Sequence, residues 1–299
     1  MWIRSSGKIT ENSCLINTYF TSHLLVYSEK VVLFDAGLYA TASELNDSIK
    51  SFLPADTDVD YLYLSHAHFD HVGGIPFFRK AYPKIKIVSS KATAKLLKNK
   101  SLLSDIYAQN SELLEDIDLS EKDFIESIFV DEILNDGQVM SLGALDEEIT
   151  VSLYETSGHT EDSSCYLIKP DKLVYAGDSL GYYGGRGVVG CMVNSNYYDQ
   201  LASIDRVSAM DIIGIVLGHS GAITGELMLK YLSDTRIELE RFASNIKDRI
   251  SQGQLQEAIT ASILVEMSDL KITPDGPFKS SHEALLRDMI KLIANTEIS

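Results

Sequence analysis

Three of the chain's seven histidines fall within six residues, in the run Ser65-His66-Ala67-His68-Phe69-Asp70-His71-Val72-Gly73-Gly74. No other feature restricts the fold as strongly. Three imidazoles and a carboxylate crowded into one segment must be carried to a common point and given something to bind. The apolar stretch Tyr61 to Leu64 predicts a short strand ending at this run. In an extended segment leaving a strand, side chains two residues apart face the same way, so His66 and His68 can hold one metal ion together. Asp70 and His71 follow where the chain turns into Gly73-Gly74, and their oxygen and nitrogen can serve a second ion. A solvated histidine-rich loop is the plain alternative.

Three later positions share one placement. His159 follows a segment in which Ile149, Val151 and Leu153 alternate with Thr150, Ser152 and Tyr154, the pattern of a half-buried strand. Asp178 follows the strand expected at Leu173 to Ala176, and His219 follows the one expected at Asp211 to Leu217. Each lies just past a strand's carboxyl end, where open α/β sheets place ligands. A carboxylate can bridge two cations roughly 3.5 to 4 Å apart, and Asp178 is the acid available to do so.

Elsewhere, Leu24 to Tyr27 and Val31 to Phe34 read as a hairpin, and a helix over Thr41 to Phe52 follows the turn Asp35-Ala36-Gly37. Residues 91 to 130 take on helical spacing. From Gly225 onward β-patterning stops, and Met228, Tyr231, Leu232, Leu239, Phe242, Ala243, Ile246 and Ile250 recur near a 3.6-residue period. Ser280 with Glu283 three residues later is a capping-box signal for a final helix. The expected organisation is an α/β domain over 1–224 with a helical excursion at about 91–130, then a helical extension over 225–299.

Composition narrows the partners. Lys and Arg number 26 against 43 Asp and Glu, a formal charge of −17, which argues against a nucleic-acid backbone or an anionic membrane as the main partner. Cys14, Cys165 and Cys191 are too few for a disulfide framework or a cysteine-based zinc site. No signal-like leader and no run of eighteen apolar residues is present, so the expectation is a cytoplasmic protein acting on a small molecule. Nothing in the sequence bears on its oligomeric state.

The runs His66-Ala67-His68-Phe69-Asp70-His71, Gly158-His159, Gly177-Asp178 and Gly218-His219, in that order, resemble the metallo-β-lactamase-fold hydrolases, a superfamily that includes glyoxalase II, acyl-homoserine-lactone lactonases and quinolone-signal thioesterases. The resemblance implies an αββα sandwich with the metals at one edge. It implies that His66, His68 and His159 hold one metal, that Asp70, His71 and His219 hold another, and that Asp178 bridges them. Asp35 matches the family's acidic turn near the site, a supporting group more often than a ligand. Class B β-lactamases tend to carry cysteine where this chain has Asp178, and flavodiiron oxygen reductases replace the second motif histidine, here His68, with a carboxylate. Lactonases often place tyrosine three residues after the bridging aspartate, where this chain has Gly181. The broadest likeness is to the quinolone-signal thioesterase.

The expected activity is that of a dinuclear metal hydrolase acting on an ester-type carbonyl, a thioester before a lactone, by attack of a metal-bridging hydroxide. Asp70 would be the catalytic acid and base. Zinc suits the imidazole-rich set, while the carboxylates also suit iron or manganese. Tyr182 to Gly190, with four glycines and Arg186, predicts a mobile loop near Asp178. Tyr182 and Tyr183 are candidate pocket walls or oxyanion donors. Arg186 either meets a substrate carboxylate or phosphate or is simply solvated. A metal-bearing regulatory protein with little turnover is the rival from another class.

Overall fold

The computed structural model describes residues 1–113, 118–143, 149–190, 192–269 and 279–297, with side chains described up to residue 266 and again from 283. Two seven-stranded sheets face each other. In the first, Gly7–Lys8, Ser13–Asn17, Ser22–Tyr27 and Val31–Phe34 run antiparallel, and Tyr61–Tyr63, Lys86–Ser90 and Glu132–Leu134 then add in parallel. The second orders Trp2–Ile3, Gly221–Thr224, Gly214–Leu217, Leu173–Gly177, Ser164–Lys169, Thr150–Glu155 and Val139–Ser141. Within it, Leu173–Gly177 and Gly214–Leu217 pair in parallel.

Side-chain alternation decides which residues meet which layer. Leu24, Val26, Val32, Phe34 and Tyr63 of the first sheet point at Val151, Leu153, Tyr166, Ile168 and Tyr175 of the second, forming the inter-sheet core. Their neighbours Leu25, Leu33, Leu62 and Leu64 point the other way and pack under helices, with Leu45, Ile49, Phe78 and Ile106. On the far side, Cys165, Leu167, Val174, Ala176, Ile215 and Leu217 meet a second helical layer. Strands buried on both faces carry near-continuous apolar runs, which is why Val31–Phe34 and Leu173–Gly177 are so apolar. The result is the αββα sandwich expected from the sequence.

The carboxy-terminal helices Glu226–Ser251, Gln256–Asp269 and Lys279–Asn295 belong to that second layer. The first of them buries Met228, Tyr231, Leu232, Leu239, Ala243 and Ile246, one stripe at three- and four-residue spacing. These pack with Ile259, Ile263, Met289 and Ile290 in the same cluster as the sheet's outer face. Among the described residues no helix is long and apolar enough to cross a membrane.

One expectation changes. Residues 182–190 are not a loop: Tyr182–Gly185 pairs with Val188–Gly190 as a hairpin. Arg186 and Gly187 both have positive φ, 51° and 82°, the backbone that a tight two-residue hairpin turn demands, so Gly187 is a turn residue while Gly184, Gly185 and Gly190 lie in the two strands. The residue-91-to-130 region is helical but divided, into Lys91–Leu96, Lys100–Ser111 and Glu121–Ser127. The expected cap at Ser280 and the residue Cys191 lie outside the described residues or side chains.

Phe34 sits between the sheets with the rings of Tyr63, Tyr166 and Tyr175 at centroid distances of 5.4, 5.3 and 5.3 Å, and it is fully buried. Phe34→Ala is expected to destabilise the fold by about 3 to 5 kcal/mol. Urea unfolding would read this as a lower midpoint with unchanged slope; a loss under about 1 kcal/mol would show that the inter-sheet core repacks.

Candidate metal centre

Loops at the carboxyl ends of the central strands deliver every histidine of the motifs to one edge of the sandwich. His66 and His68 follow Tyr61–Tyr63, His159 follows Thr150–Glu155, Asp178 follows Leu173–Gly177 and His219 follows Gly214–Leu217. Asp70 and His71 lie on a single helical turn, Phe69–Val72. Two donor groups result, His66, His68, His159 and Asp178 in one and Asp70, His71 and His219 in the other, each with one donor atom per residue lying within 4.8 Å of the rest.

Asp178 ties the groups together. Its Oδ2 is 3.2 Å from His219 Nε2, 3.5 Å from His71 Nε2 and 3.6 Å from His159 Nε2. Asp70 Oδ2 is 3.3 Å from His219 Nε2 and 3.7 Å from His71 Nε2. His68 Nδ1 faces His159 Nε2 at 3.2 Å.

The outward nitrogens are fixed by neighbours. His159 Nδ1–H donates to the Met192 carbonyl at 2.9 Å, and His219 Nδ1–H to that of Phe20 at 3.0 Å. Ser65 Oγ is 2.9 Å from His66 Nδ1, and His71 Nδ1–H donates to Asp35 at 2.7 Å. Such partners set the tautomer, so the inward nitrogen of each ring presents a lone pair.

Asp35 organises this outer layer. Fully buried, its carboxylate also accepts from the Ser65 N–H at 2.7 Å, the Ser65 hydroxyl at 2.6 Å and the Tyr175 hydroxyl at 2.8 Å. Its φ of 59° is one that Asp and Asn tolerate better than most residues. Asp162, which the sequence reading passed over, is buried and accepts from the Ala67 N–H at 2.9 Å, between His66 and His68. Its signal was an acid three residues past His159. Glycine is required next to two of the donors: a Cβ at Gly218 would lie 2.3 Å from Asp178 Oδ1, and one at Gly177, where φ is 49°, 2.5 Å from Ser65 Oγ.

Burial pulls the pKa values of His66, His68 and His159 down, helped at His66 and His68 by the neighbouring imidazoles, which keeps them neutral. Burial also pulls at His71 and His219, but the surrounding carboxylates, Asp178 foremost, outweigh it: His71 rises well above its usual value and His219 rises to about 9. Asp178 is pushed up by burial and held well below the carboxylate range by His219 and His71. The acids therefore demand positive charge here, as protons on two imidazoles or as cations in their place.

The donor set fits divalent cations. His66 Nε2, His71 Nε2 and Asp178 Oδ1 are buried with no hydrogen-bond partner, and a buried polar atom left unsatisfied costs about 1 to 3 kcal/mol unless something binds it. Neutral imidazoles with carboxylates are the ligands that zinc, iron and manganese accept.

The three residues expected to meet substrate separate. Tyr182 lines a cavity beside the hairpin. Tyr183 is buried edge-on against Trp2 and Tyr231, at centroid distances of 5.0 and 5.9 Å. Arg186 occupies the exposed hairpin turn.

Comparison with known proteins gives these observations a family. The family model of the metallo-beta-lactamase superfamily matches residues 20–219. An atrochrysone carboxyl ACP thioesterase of Cryptosporiopsis sp. is 22% identical over 72% of this chain, which spans 56% of that relative's length. The chain thus spans little more than half of this curated relative. Among solved structures, a metallo-beta-lactamase of Cronobacter sakazakii carrying a mutated HARLDQ motif aligns with a TM-score of 0.59 at 21% identity, over 81% of this chain and 98% of that one. The archaeal metallo-beta-lactamase superfamily protein ST1585 of Sulfolobus tokodaii aligns with a TM-score of 0.53 at 19% identity, over 92% and 91%.

Two outcomes are expected from this geometry. Asp35→Asn keeps the backbone tolerance but loses a carboxylate acceptor behind His71, so metal affinity should fall about 10- to 100-fold in a chelator-competition titration. Unchanged affinity would show that Asp35 does not orient His71. The second concerns His23, whose Nδ1–H donates to the Asp35 carbonyl at 3.0 Å while Nε2 lies 2.8 Å from the Thr21 hydroxyl. Burial lowers its pKa to about 4, so below pH 6.5 the unfolded chain takes a proton that the folded one refuses. Stability should drop by roughly 3 kcal/mol as pH falls from 6.5 to 4. His23→Gln should be less stable than the parent at pH 7, with the gap closing toward pH 4.5; a gap independent of pH would refute this linkage.

Proposed function

The chain belongs to the metallo-beta-lactamase superfamily, and from that premise we propose that it is a metal-dependent hydrolase of ester-type carbonyls, acting on a thioester. The observation that carries the reading is the shared carboxylate: Asp178 Oδ2 lies within 3.6 Å of imidazole nitrogens from both donor groups. His66, His68 and His159 would hold one cation, Asp70, His71 and His219 a second, with Asp178 common to both. Divalent ions there supply a water acidified to near-neutral pKa and an electrophile for a carbonyl oxygen. Zinc suits the five imidazoles best.

The chain's own residues do the rest. His66, His71, His159 and His219, each locked by an outer partner, and His68, set against His159, fix the frame in which a carbonyl carbon meets water. Asp70, with Oδ2 turned toward His219 and His71, has a second carboxylate oxygen to take a proton from the attacking water and return it to the leaving atom. A thiolate leaves with little protonation, so this single carboxylate suffices. The relative named as an acyl-carrier-protein thioesterase supports the thioester over a lactone, as does Gly181 standing three residues after Asp178. The substrate is a small acylated molecule or an acyl group on a carrier.

Elemental analysis of protein purified without chelator is expected to give ~2 metal ions per chain. The same sample, assayed on acyl thioesters, p-nitrophenyl esters and lactones, should favour thioesters over a homoserine lactone by about tenfold or more in kcat/KM, which is 1.4 kcal/mol of transition-state discrimination. Asp70→Asn should keep the fold and the His66, His68, His159 metal while turnover falls about 10²- to 10⁴-fold. One metal per chain after reconstitution would sink the dinuclear reading, parental turnover in Asp70→Asn would move the acid elsewhere, and lactone preference would reverse the substrate ranking.

A further inference from the structure

Between the hairpin and the carboxy-terminal helices lies a cavity of about 520 Å³, within the range of small-molecule sites; none of the seven donors lines it, and it reaches them through the residues that follow. The hairpin contributes Tyr182 and Val189, the segment after it Met192, and the three carboxy-terminal helices Phe242, Ile263 and Met289. Two short connections join it to the donors. The Met192 carbonyl accepts the His159 Nδ1–H bond at 2.9 Å, and the Val193 N–H points at Met289 Sδ at 3.2 Å. On the other side, the hairpin begins four residues after Asp178, through a turn pinned by Gly181 N–H to the Asp178 carbonyl at 2.9 Å and by the Tyr231 hydroxyl to the Leu180 carbonyl at 2.6 Å. Met192 thus both lines the cavity and positions His159, and the hairpin that forms one wall follows directly on the turn after Asp178.

The lining chemistry selects the ligand. Its charged members are Glu238, Arg241 and Glu266, and each already has a partner: Glu238 pairs with Arg241, and Glu266 with Arg249 at 2.9 Å. Among the described residues no unpaired charge faces the space to hold a charged group, whereas valine, methionine, phenylalanine, isoleucine and leucine side chains do face it. Gly190 keeps the hairpin open to the Tyr182 ring, because a Cβ there would lie 2.5 Å from that ring.

We propose that this cavity receives the uncharged, apolar acyl group of the substrate and so sets acyl-chain selectivity. The inference rests on the hydrolase reading above, with the acyl carbonyl at the donor cluster and the tail running between the hairpin and helix Glu226–Ser251. The hairpin and the carboxy-terminal helices then form a specificity element, and the donor cluster itself is indifferent to chain length.

Two measurements on the whole 299-residue chain test this. With one carrier thiol and acyl chains from two to twelve carbons, kcat/KM should rise roughly threefold to fourfold per methylene until the cavity is full. Val189→Trp, which fills the space, should lower kcat/KM for decanoyl at least tenfold and leave acetyl within twofold. Phe242→Ala, which enlarges it, should move the optimum to longer chains. The second readout needs no turnover: Nile red should bind the metal-depleted protein with enhanced emission, be displaced by decanol better than by butanol, and bind Val189→Trp at least tenfold more weakly. A flat chain-length profile, equal losses for acetyl and decanoyl in Val189→Trp with no shift in Phe242→Ala, or Nile red binding indifferent to Val189→Trp would overturn the proposal. Chain-length-dependent displacement in a protein that hydrolyses none of the acyl compounds would leave the acyl site standing and remove the thioesterase reading instead.

Discussion

Asp178 holds a buried negative charge among three imidazoles that arrive from three different parts of the chain. His71 comes from the first sheet, His159 and His219 from the second, and all three place Nε2 within 3.6 Å of the same carboxylate oxygen. A carboxylate with so little contact with water is sustained only by positive charge close by. Much of the local backbone follows from making room for it. Gly218 has no side chain because Asp178 Oδ1 stands where a Cβ would be, and Gly177 takes a positive φ so that the chain can turn off its strand against Ser65.

The outer layer links that charge to the fold. Asp35 leaves the strand Val31–Phe34 and joins His71, Ser65 and Tyr175, so one carboxylate ties the histidine-rich run to both sheets. Tyr175 is also a wall of the inter-sheet core, alongside Phe34. The site edge and the hydrophobic core are therefore mechanically one structure, and loosening the core would loosen the donors. The carboxy-terminal helices enter through the opposite face: Tyr231 reaches the turn after Asp178, and Met289 meets the segment that carries the His159 partner.

The parts of the molecule legible in the sequence were those with a strong local signal. Alternation in 149–154 and the apolar runs before His66, Asp178 and His219 identified the strands of the sandwich, with boundaries off by one to three residues, because hydrogen-bond pairing rather than hydropathy ends a strand. Four of the seven candidate donors stand out by crowding into one segment, and His159, Asp178 and His219 because each follows such a strand. What was not legible was short or tertiary. Trp2–Ile3, Gly7–Lys8 and Val139–Ser141 are too brief to show a period, and Trp2–Ile3 pairs with Gly221–Thr224 at the far end of the described sheet sequence. Asp162 has no motif of its own; its importance comes from the Ala67 N–H it meets 95 residues away. The hairpin at 182–190 reads as a loop in the sequence because glycine marks tight turns and mobile segments alike, and only the register of Tyr182 against Gly190 separates them.

The proposed function requires Asp178 to be shared between two cations. Anomalous diffraction from crystals of the metal-loaded protein, recorded above and below the absorption edge of the bound metal, measures this most directly. Two peaks roughly 3.5 to 4 Å apart, both in contact with the Asp178 carboxylate, are the expected result. A single peak, or two peaks of which only one touches Asp178, would contradict it.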